Sequence, residues 1–297
     1  MSHEVVGHPV FPPEQVAQVK AVACQLPVQR GLPLSRFSLR EIQAEVEACE
    51  GIDAISTGTV WRILNQDAIR PWYHQSWLFP KDPDFVDRAN PVLDLYRGIW
   101  QGEPLGEKDY VISADEKSQL QILRREFPTL PADANRPIRF ENDYKREGTV
   151  AYLAALDVFS GQLLGRVDET TGIVPFQKLV ALVMEQEPYA SADRVFWIVD
   201  NGSSHYTTTF PQRLRDAYEN AIAVHLPVHA SWLNQIEIYF SILQRKALTP
   251  NDLPDRDAME SRILGFQERY NLMAKPFNWR FTRQDLETRM ASLKLAA

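Results

Sequence analysis

Three carboxylates occur in segments whose other residues are mostly apolar. Asp115 lies in a β-branched run, Asp200 closes the apolar run 194–200, and Glu237 lies in the segment 231–246. These patterns predict two buried strands and one amphipathic helix. Burying an ionised carboxylate costs several kcal/mol unless the group is paired, hydrogen-bonded or bound to a metal ion. We therefore predict that the three acids share one site, which holds a metal ion or a reacting phosphate.

Glu237 is predicted at the margin of the apolar stripe of its helix. At about 100° per residue, it falls roughly 90° from the centre of that stripe. The stripe comprises Leu233, Ile236, Phe240 and Leu243, and the margin also holds Asn234, Ser241 and Gln244. Simpler interpretations exist, because an Asp at a strand end is usually a turn residue and a Glu on a helix margin is usually solvated. The predicted shared site therefore depends on the three acids together.

Length and composition are typical of a globular protein. The chain has 297 residues, of which 44 % are hydrophobic and 24 % charged, enough for one sizeable core and a smaller domain. No apolar run approaches a membrane span, and the start of the chain lacks the features of a signal peptide, so we predict a cytoplasmic protein with no membrane partner. Cys24 and Cys49 are too far apart for a CxxC zinc site, and Pro227 breaks the helix that a zinc pair of His225 and His229 would use.

The net charge of −7 argues against binding nucleic acid by bulk electrostatics. Two stretches differ from this average. Residues 117–146 hold seven Lys or Arg against four Asp or Glu, and residues 262–289 hold six against three. Both stretches would flank the predicted site. Because a charge run is usually a solvated face, they favour nucleic-acid binding only modestly.

Two short helices are predicted near the N-terminus. Ser38 and Glu41 have the spacing of a capping box, and Ser56 caps a second helix that ends near Gln66. The inward residues are Leu39, Ile42, Val46 and Cys49 in the first helix and Val60, Ile63 and Leu64 in the second, whereas Thr59, Arg62 and Gln66 point outward. The pair resembles a helix-turn-helix whose second helix reads DNA, although a plain packing unit is the alternative and residues 38–70 are net acidic.

The order of the remaining elements predicts an α/β fold. After a linker from Pro71 to Pro83, we predict a helix over 85–100, strands over 110–123, 149–158 and 163–167, a helix over 174–187, the Asp200 strand, a helix over 209–220, a strand over 221–226 and the Glu237 helix. Three strands in a meander followed by helix, strand, helix, strand and helix is the order of an RNase H-like mixed five-stranded sheet flanked by helices. In that architecture the elements of the three acids meet at one edge, which agrees with the local patterns.

The segments that contain the three acids also have recognisable sequence motifs. Residues 115–117 read DEK, residues 199–205 read VDNGSSH, and residues 225–237 read HLPVHASWLNQIE, with 36 residues between Asp200 and Glu237. Together they resemble the three catalytic blocks of mariner-superfamily DDE transposases, and more narrowly the bacterial branch known as insertion-sequence family 630. The stretch from about 110 to 283 is similar throughout. Ala230-Ser231 and Asn234-Gln235 stand where many mariner relatives have Ser-Pro and Asn-Pro, which loosens the match to the animal branch.

The resemblance implies a substrate and a division of the chain. The substrate is double-stranded DNA, namely the terminal inverted repeats of an insertion sequence, which are cut and joined to a target, generally at TA. It implies a helix-turn-helix region over 1–75, a linker and connecting helix over 76–108, and a catalytic domain over 109–297. Many relatives carry two helix-turn-helix units before the catalytic domain, so the resemblance implies either that this chain lacks the first unit or that residues 9–30 are a divergent remnant of it. A homodimer assembled on DNA and a nucleoid-associated bacterial location complete these expectations.

Three carboxylates in one cleft suit two divalent cations, Mg²⁺ or Mn²⁺, about 3.5–4 Å apart. In the transposase interpretation Asp115 bridges both ions, while Asp200 and Glu237 each complete one site. The predicted DNA contacts are Thr59, Arg62, Gln66, His205, Arg245 and Lys246, of which His205 could equally be a loop histidine. Two alternatives remain: a metal-dependent nuclease on the same fold, since carboxylates alone do not choose between hydrolysis and strand transfer, and a transposase-derived DNA-binding regulator. Paired carboxylates could also serve a glycosidase, which the block order makes remote.

Overall fold

The computed structural model describes residues 11–52, 54–74 and 82–296. The start of the chain, Asp53 in a predicted turn, and residues 75–81 in the predicted linker lie outside the described residues. Within the described part, no helix is both long and apolar enough to cross a lipid bilayer. The chain divides into two units, Met1–Leu78 and Phe79–Ala297.

The first unit is built from short helices around one apolar core. They are α1 (Pro13–Ala23), α2 (Leu39–Glu47) and α3 (Thr57–Gln66). The predicted capping box of α2 is confirmed, because Glu41 N donates to Ser38 Oγ and Ser38 N donates to Glu41 Oε2. Thr59 N donates to Ser56 Oγ, which starts α3 as predicted. The core residues include Val19, Val22, Phe37, Ile42, Val46, Val60, Ile63 and Leu64.

The second unit begins with a helix that is shorter than predicted. Helix α4 (Phe85–Leu95) ends five residues before the expected Trp100, and the chain then forms a small hairpin of β1 (Ile99–Trp100) and β2 (Glu103–Pro104). Gly98 explains the difference, since its φ of +74° leaves the helical conformation and is one that glycine adopts at little cost. Trp100, one of the apolar residues that suggested a longer helix, lies instead in β1 and packs against the core cluster that contains α4.

A five-stranded mixed sheet forms the centre of the second unit, as predicted. Its strands are β3 (Asp109–Arg124), β4 (Lys145–Asp157), β5 (Leu163–Asp168), β6 (Arg194–Val199) and β7 (Ala221–His225). The spatial order is β5-β4-β3-β6-β7, with antiparallel pairs on the β5 side of β3 and parallel pairs on the β7 side. Strand β3, which carries Asp115, is therefore the central strand and lies beside β6.

Helices cover both faces of the sheet, because side chains alternate along each strand. Ile112 and Ala114 face the helices α5 (Ile173–Met184) and α6 (Phe210–Ala217). Val111 faces the opposite side, where α4 packs. On that side lie also α7 (Ile236–Lys246), α8 (Arg256–Asn271) and α9 (Arg283–Ala296).

The Glu237 helix begins later than the apolar stripe suggested. Residues Ser231–Leu233 form a single 3₁₀ turn, Asn234 has an extended backbone, and α7 starts at Ile236. Asn234, predicted on the helix margin, is instead buried before the helix. The reason is a set of hydrogen bonds between Asn234 and β3, which the periodicity of a local segment does not encode.

Candidate active site

Asp115 is held at both carboxylate oxygens. It lies on β3 with a side chain that is 7 % exposed. The backbone N–H of Glu116 donates to Oδ1 at 2.7 Å, and the Asn234 amide donates to Oδ2 at 3.2 Å. Each carboxylate oxygen has two lone pairs, so both oxygens keep an acceptor site free after these bonds. Asp115 is thus a fixed group that can still bind a cation.

Asp200 reaches the same edge because β6 runs parallel to β3, with Ser113 paired to Ile198, and Asp200 directly follows the last residue of β6. Its Oδ1 accepts from the backbone N–H of Gly202 at 2.6 Å. A Cβ on Gly202 would stand 2.9 Å from Asp200 Oδ1 and 3.0 Å from His205 Cε1. The turn after β6 therefore needs glycine at this position so that Asp200 and His205 can approach each other.

His205 is fully buried, at 0 % exposure, with its ring packed against Phe176 and Phe210. Its Nδ1 lies 2.9 Å from the backbone oxygen of Asp200, so Nδ1 carries the proton and donates. Its Nε2 lies 3.3 Å from Glu116 Oε2. Burial by itself lowers the pKa of His205, but the hydrogen bond to Glu116 and the charges of Glu116 and Asp200 outweigh it and raise the pKa.

The burial of His205 alters its expected role. The sequence interpretation assigned it to DNA contact, whereas its ring faces the acids and leaves no exposed surface. Across the described residues, ligand atoms of Asp115, Asp200 and His205 lie within 4.8 Å of one another. The histidine that sequence spacing placed near the cleft thus belongs to the acid cluster itself.

The acid cluster has the chemistry of a cation site. Burial, and then the charge of Asp200, raise the pKa of Asp115 to about 7. A buried carboxylate that faces a second carboxylate is stabilised by a cation between the two. The carboxylate oxygens of Asp115 and Asp200 are donors that suit Mg²⁺ and Mn²⁺. The residues present therefore fit a divalent cation.

Glu237 lies at the edge of this cluster. It is the second residue of α7 and is partly exposed. Burial raises its pKa, the nearby charge of Lys117 lowers it, and the charge of Asp200 raises it. Glu237 is thus near enough to Asp200 to feel its charge, but it lies outside the group whose ligand atoms are within 4.8 Å. Its role as a metal ligand stays a prediction.

Three residues of the site were not singled out from the sequence as site residues. Glu116 contacts His205, and Ser113 and Asn234 form a buried pair beneath Asp115. The sequence shows Asn234 as a polar residue three positions before Glu237, but helical spacing places it on the margin of the apolar stripe and not in the site. Only the contact with β3 reveals its position.

The remaining predicted DNA contacts lie on two helices. On α3, Arg62 and Gln66 are exposed and Thr59 is partly exposed. Arg245 and Lys246 are exposed in the last turn of α7, about 13 Å along the helix from Glu237 at a rise of ~1.5 Å per residue. Their assignment to DNA stays a prediction.

Part of the charge in the two basic stretches has structural partners. Arg125 donates to the backbone of Asn251 and lies over the rings of Phe140 and Tyr144. Arg283 pairs with Asp94 on α4. These two side chains stabilise the β3–β4 connection and the packing of α9 on α4. Arg124 likewise pairs with Glu147, and Arg262 donates to the backbone oxygen of Ala247, so only part of the positive charge of the two stretches is available to a ligand.

A family model described as DDE superfamily endonuclease matches residues 111–260, about half of the chain. The chain belongs to this family. The matched region contains the five-stranded sheet except for the first two residues of β3, together with the acid cluster and Glu237. Among curated proteins none matches the chain.

Solved structures similar to this DDE superfamily chain include three Mos1 complexes. The mariner Mos1 paired end complex with Mg has 13 % identity and a TM-score of 0.56 over 98 % of this chain and 83 % of that chain. The paired end complex with Mn has 15 % identity and a TM-score of 0.54, and the Mos1 transposase complex with the left transposon end has 14 % identity and a TM-score of 0.54; each covers 96 % of this chain and 81 % of that chain. At these identities the likeness concerns the fold.

Proposed function

We propose that this DDE superfamily endonuclease is a transposase that cuts DNA at the terminal inverted repeats of an insertion sequence and joins the 3′ ends to a target. The observation that carries the proposal is the meeting of Asp115 and Asp200 at one sheet edge, with Glu237 close enough to feel the charge of Asp200. The order and sequence motifs of the three blocks support the same function, as does the fold that this chain shares with the Mos1 transposase.

In this proposal Asp115, Asp200 and Glu237 hold two Mg²⁺ or Mn²⁺ ions. When bound, such ions lower the pKa of an attacking water or 3′-hydroxyl and stabilise the leaving oxygen of an in-line displacement. The protein contributes fixed acceptors, because Asp115 and Asp200 are each hydrogen-bonded to backbone N–H groups before any ligand arrives. His205 donates through Nδ1 to the backbone oxygen of Asp200 and contacts Glu116 Oε2 through Nε2. The Mos1 complexes with Mg and with Mn support this choice of ions.

End recognition is assigned to the first unit. Helix α3 offers Thr59, Arg62 and Gln66 to a DNA groove, as the second helix of a helix-turn-helix does. Arg245 and Lys246 on α7 are proposed to contact DNA phosphates. From the resemblance to insertion-sequence family 630 we further propose a TA target, a homodimer on DNA, and a bacterial, nucleoid-associated cytoplasmic location.

The decisive experiment is cleavage of end-labelled terminal-repeat DNA in Mg²⁺ or Mn²⁺, followed by a search for joined product. The variants Asp115→Asn, Asp200→Asn and Glu237→Gln remove one ligand charge each with little change in shape. We expect each to abolish strand cleavage, while the thermal unfolding midpoint and the circular dichroism spectrum show a retained fold.

The matched control is Glu103→Gln, because Glu103 is an exposed glutamate on β2, outside the acid cluster. It should cut like the unchanged protein. Cutting by Glu237→Gln at the unchanged rate would show that Glu237 is the wrong glutamate and direct attention to Glu219 or Glu260. Hydrolysis without any joined product would favour the nuclease instead, and robust cutting in excess chelator would defeat the metal-dependent proposal.

A further inference from the structure

A buried pair of polar side chains lies directly beneath Asp115. Asn234 is 1 % exposed and Ser113 is 0 % exposed. The Ser113 hydroxyl donates to Asn234 Oδ1. The amide orientation of Asn234 is thereby fixed, because its oxygen faces the hydroxyl and its nitrogen must face the other way.

The Asn234 nitrogen then binds the strand that carries the acid. Nδ2 donates to the backbone oxygen of Ala114 at 3.1 Å and to Asp115 Oδ2 at 3.2 Å. With Glu116 N on Oδ1, both oxygens of Asp115 have a donor that sets the plane of the carboxylate. Burying an amide costs free energy unless its groups are satisfied, and here each of them has a partner.

The same pair fixes where the Glu237 helix begins. Ser113 and Asp115 project to one face of β3, because they are two residues apart. The Ser113 hydroxyl oxygen accepts from the backbone N–H of Ile236 at 2.9 Å, at the first residue of α7. Tyr96 adds a second tie, since its hydroxyl donates to the backbone oxygen of Leu233 at 2.7 Å. Ile236, the residue before Glu237, is thus hydrogen-bonded to Ser113, which lies two positions before Asp115.

We propose that Asn234, oriented by Ser113, is a positioning residue that sets the carboxylate plane of Asp115 and the register of Glu237 against it. It touches neither substrate nor reacting atoms. Its effect on cutting rests on the proposed function, whereas its effect on cation binding does not. Groups that orient a metal ligand typically change metal affinity or activity by about 10–100-fold when removed.

The test measures Mn²⁺ binding directly, by the loss of the free-ion electron paramagnetic resonance signal during titration, beside the Mn²⁺ dependence of cutting. For Asn234→Ala we expect the half-saturating Mn²⁺ concentration to rise by about 10–100-fold. High Mn²⁺ should partly restore cutting. Asp115→Asn serves as the reference for loss of the ligand itself, and unchanged Mn²⁺ binding in that variant would overturn the proposal.

Asn271→Ala is the matched control. Asn271 also makes two hydrogen bonds with its amide, donating to the backbone oxygen of Leu163 at 2.8 Å and accepting from its N–H at 2.9 Å, but on the outer strand β5. It should lower the unfolding midpoint without changing Mn²⁺ binding. If Asn234→Ala lowered the midpoint similarly and also bound Mn²⁺ unchanged, Asn234 would be a packing residue and the proposal would fail.

A milder variant keeps the test decisive if Asn234→Ala does not fold. Ser113→Ala leaves the amide in place but removes the group that orients it, so Mn²⁺ binding should weaken in the same direction and by less. Unchanged binding in Ser113→Ala would then overturn the proposal. Should the unchanged protein fail to cut terminal-repeat DNA at all, the proposed function falls, while the Mn²⁺ titrations still decide the role of Asn234.

Discussion

The ionised carboxylate of Asp115 is repelled by nearby negative charge, and a bound cation would offset that repulsion. Its buried carboxylate faces Asp200 and lies near Glu116, while the nearby His205 ring offsets part of that charge. The site is therefore more stable with a proton or a cation than with neither. The free energy of unfolding of the second unit should therefore depend on the protonation of Asp115.

The first consequence is a pH dependence of stability in chelator. Folding raises the pKa of Asp115 from 3.8 to about 7, so the folded state binds the proton more tightly than the unfolded chain. The contribution to stability is full below about pH 4 and is lost as the pH rises through about 7. A shift of this size corresponds to a loss of about 4 kcal/mol. Denaturant titrations from pH 4.5 to 8 should follow it.

Asp115→Asn should remove that part of the pH dependence. The pKa of His205 is also raised, so His205 contributes in the same direction and remains in the variant. Asp216→Asn, on the exposed side of α6, is the control and should follow the unchanged protein. Parallel curves for Asp115→Asn and the unchanged protein would contradict the prediction.

At the scale of elements, α3 combines a buried face with an outward one. Val60, Ile63 and Leu64 belong to the core of the first unit, so α3 is held by packing and not by a ligand. Its outward face is consequently free to meet a groove. The capping of α3 by Ser56 also fixes where that face begins.

Arg62→Ala tests whether this outward face reads sequence. An arginine that donates twice to a guanine edge is worth roughly 1–3 kcal/mol of discrimination. Binding to the cognate repeat should therefore weaken far more than binding to random duplex, measured by fluorescence anisotropy at several salt concentrations. Arg40→Ala, an exposed arginine on α2, is the comparison.

Other outcomes would assign α3 differently. An equal loss on both duplexes, with a salt dependence flatter by about one counterion, would mean that Arg62 contacts a phosphate. Unchanged binding at every salt concentration would make the helix pair a packing unit. End recognition would then come from the basic stretches 117–146 and 262–289.

The elements that could be predicted are those whose signals are local. Ser38 and Glu41 specify the start of α2 within four residues, and β3 and β6 are each predicted by an apolar, β-branched run in their own residues. The start of α7 was not predictable, because Asn234 is held by groups 119 and 120 residues away. For the same reason the burial of His205 was missed, since Glu116 lies 89 residues from it.

At the scale of the whole molecule, the proposed DNA-binding helix and the acid cluster lie in different units of the chain. The proposed reader α3 lies in the first unit and the acids lie in the second. A net charge of −7 disfavours indiscriminate attachment to DNA. Stable binding is thus expected to depend on local contacts and on the metal site.

Calcium should distinguish the proposed DNA binding from the proposed DNA cutting. Ca²⁺ takes oxygen ligands at about 2.3–2.6 Å in flexible geometry, whereas Mg²⁺ demands near-octahedral geometry at about 2.0–2.1 Å. We expect Ca²⁺ to permit binding of terminal-repeat DNA without cutting, and later addition of Mn²⁺ to start it. Gel shifts paired with cleavage assays check this, and efficient cutting in Ca²⁺ alone would contradict it.

The long separation between Asp115 and Asn234 also bears on synthesis. The two residues are 119 positions apart. At about 5–20 residues per second, a ribosome adds the second roughly 6–24 s after the first. A growing chain therefore carries the helices of the first unit well before it has a complete acid site. Under the proposed function, a growing chain whose first unit has folded would therefore bind DNA before it is able to cut it.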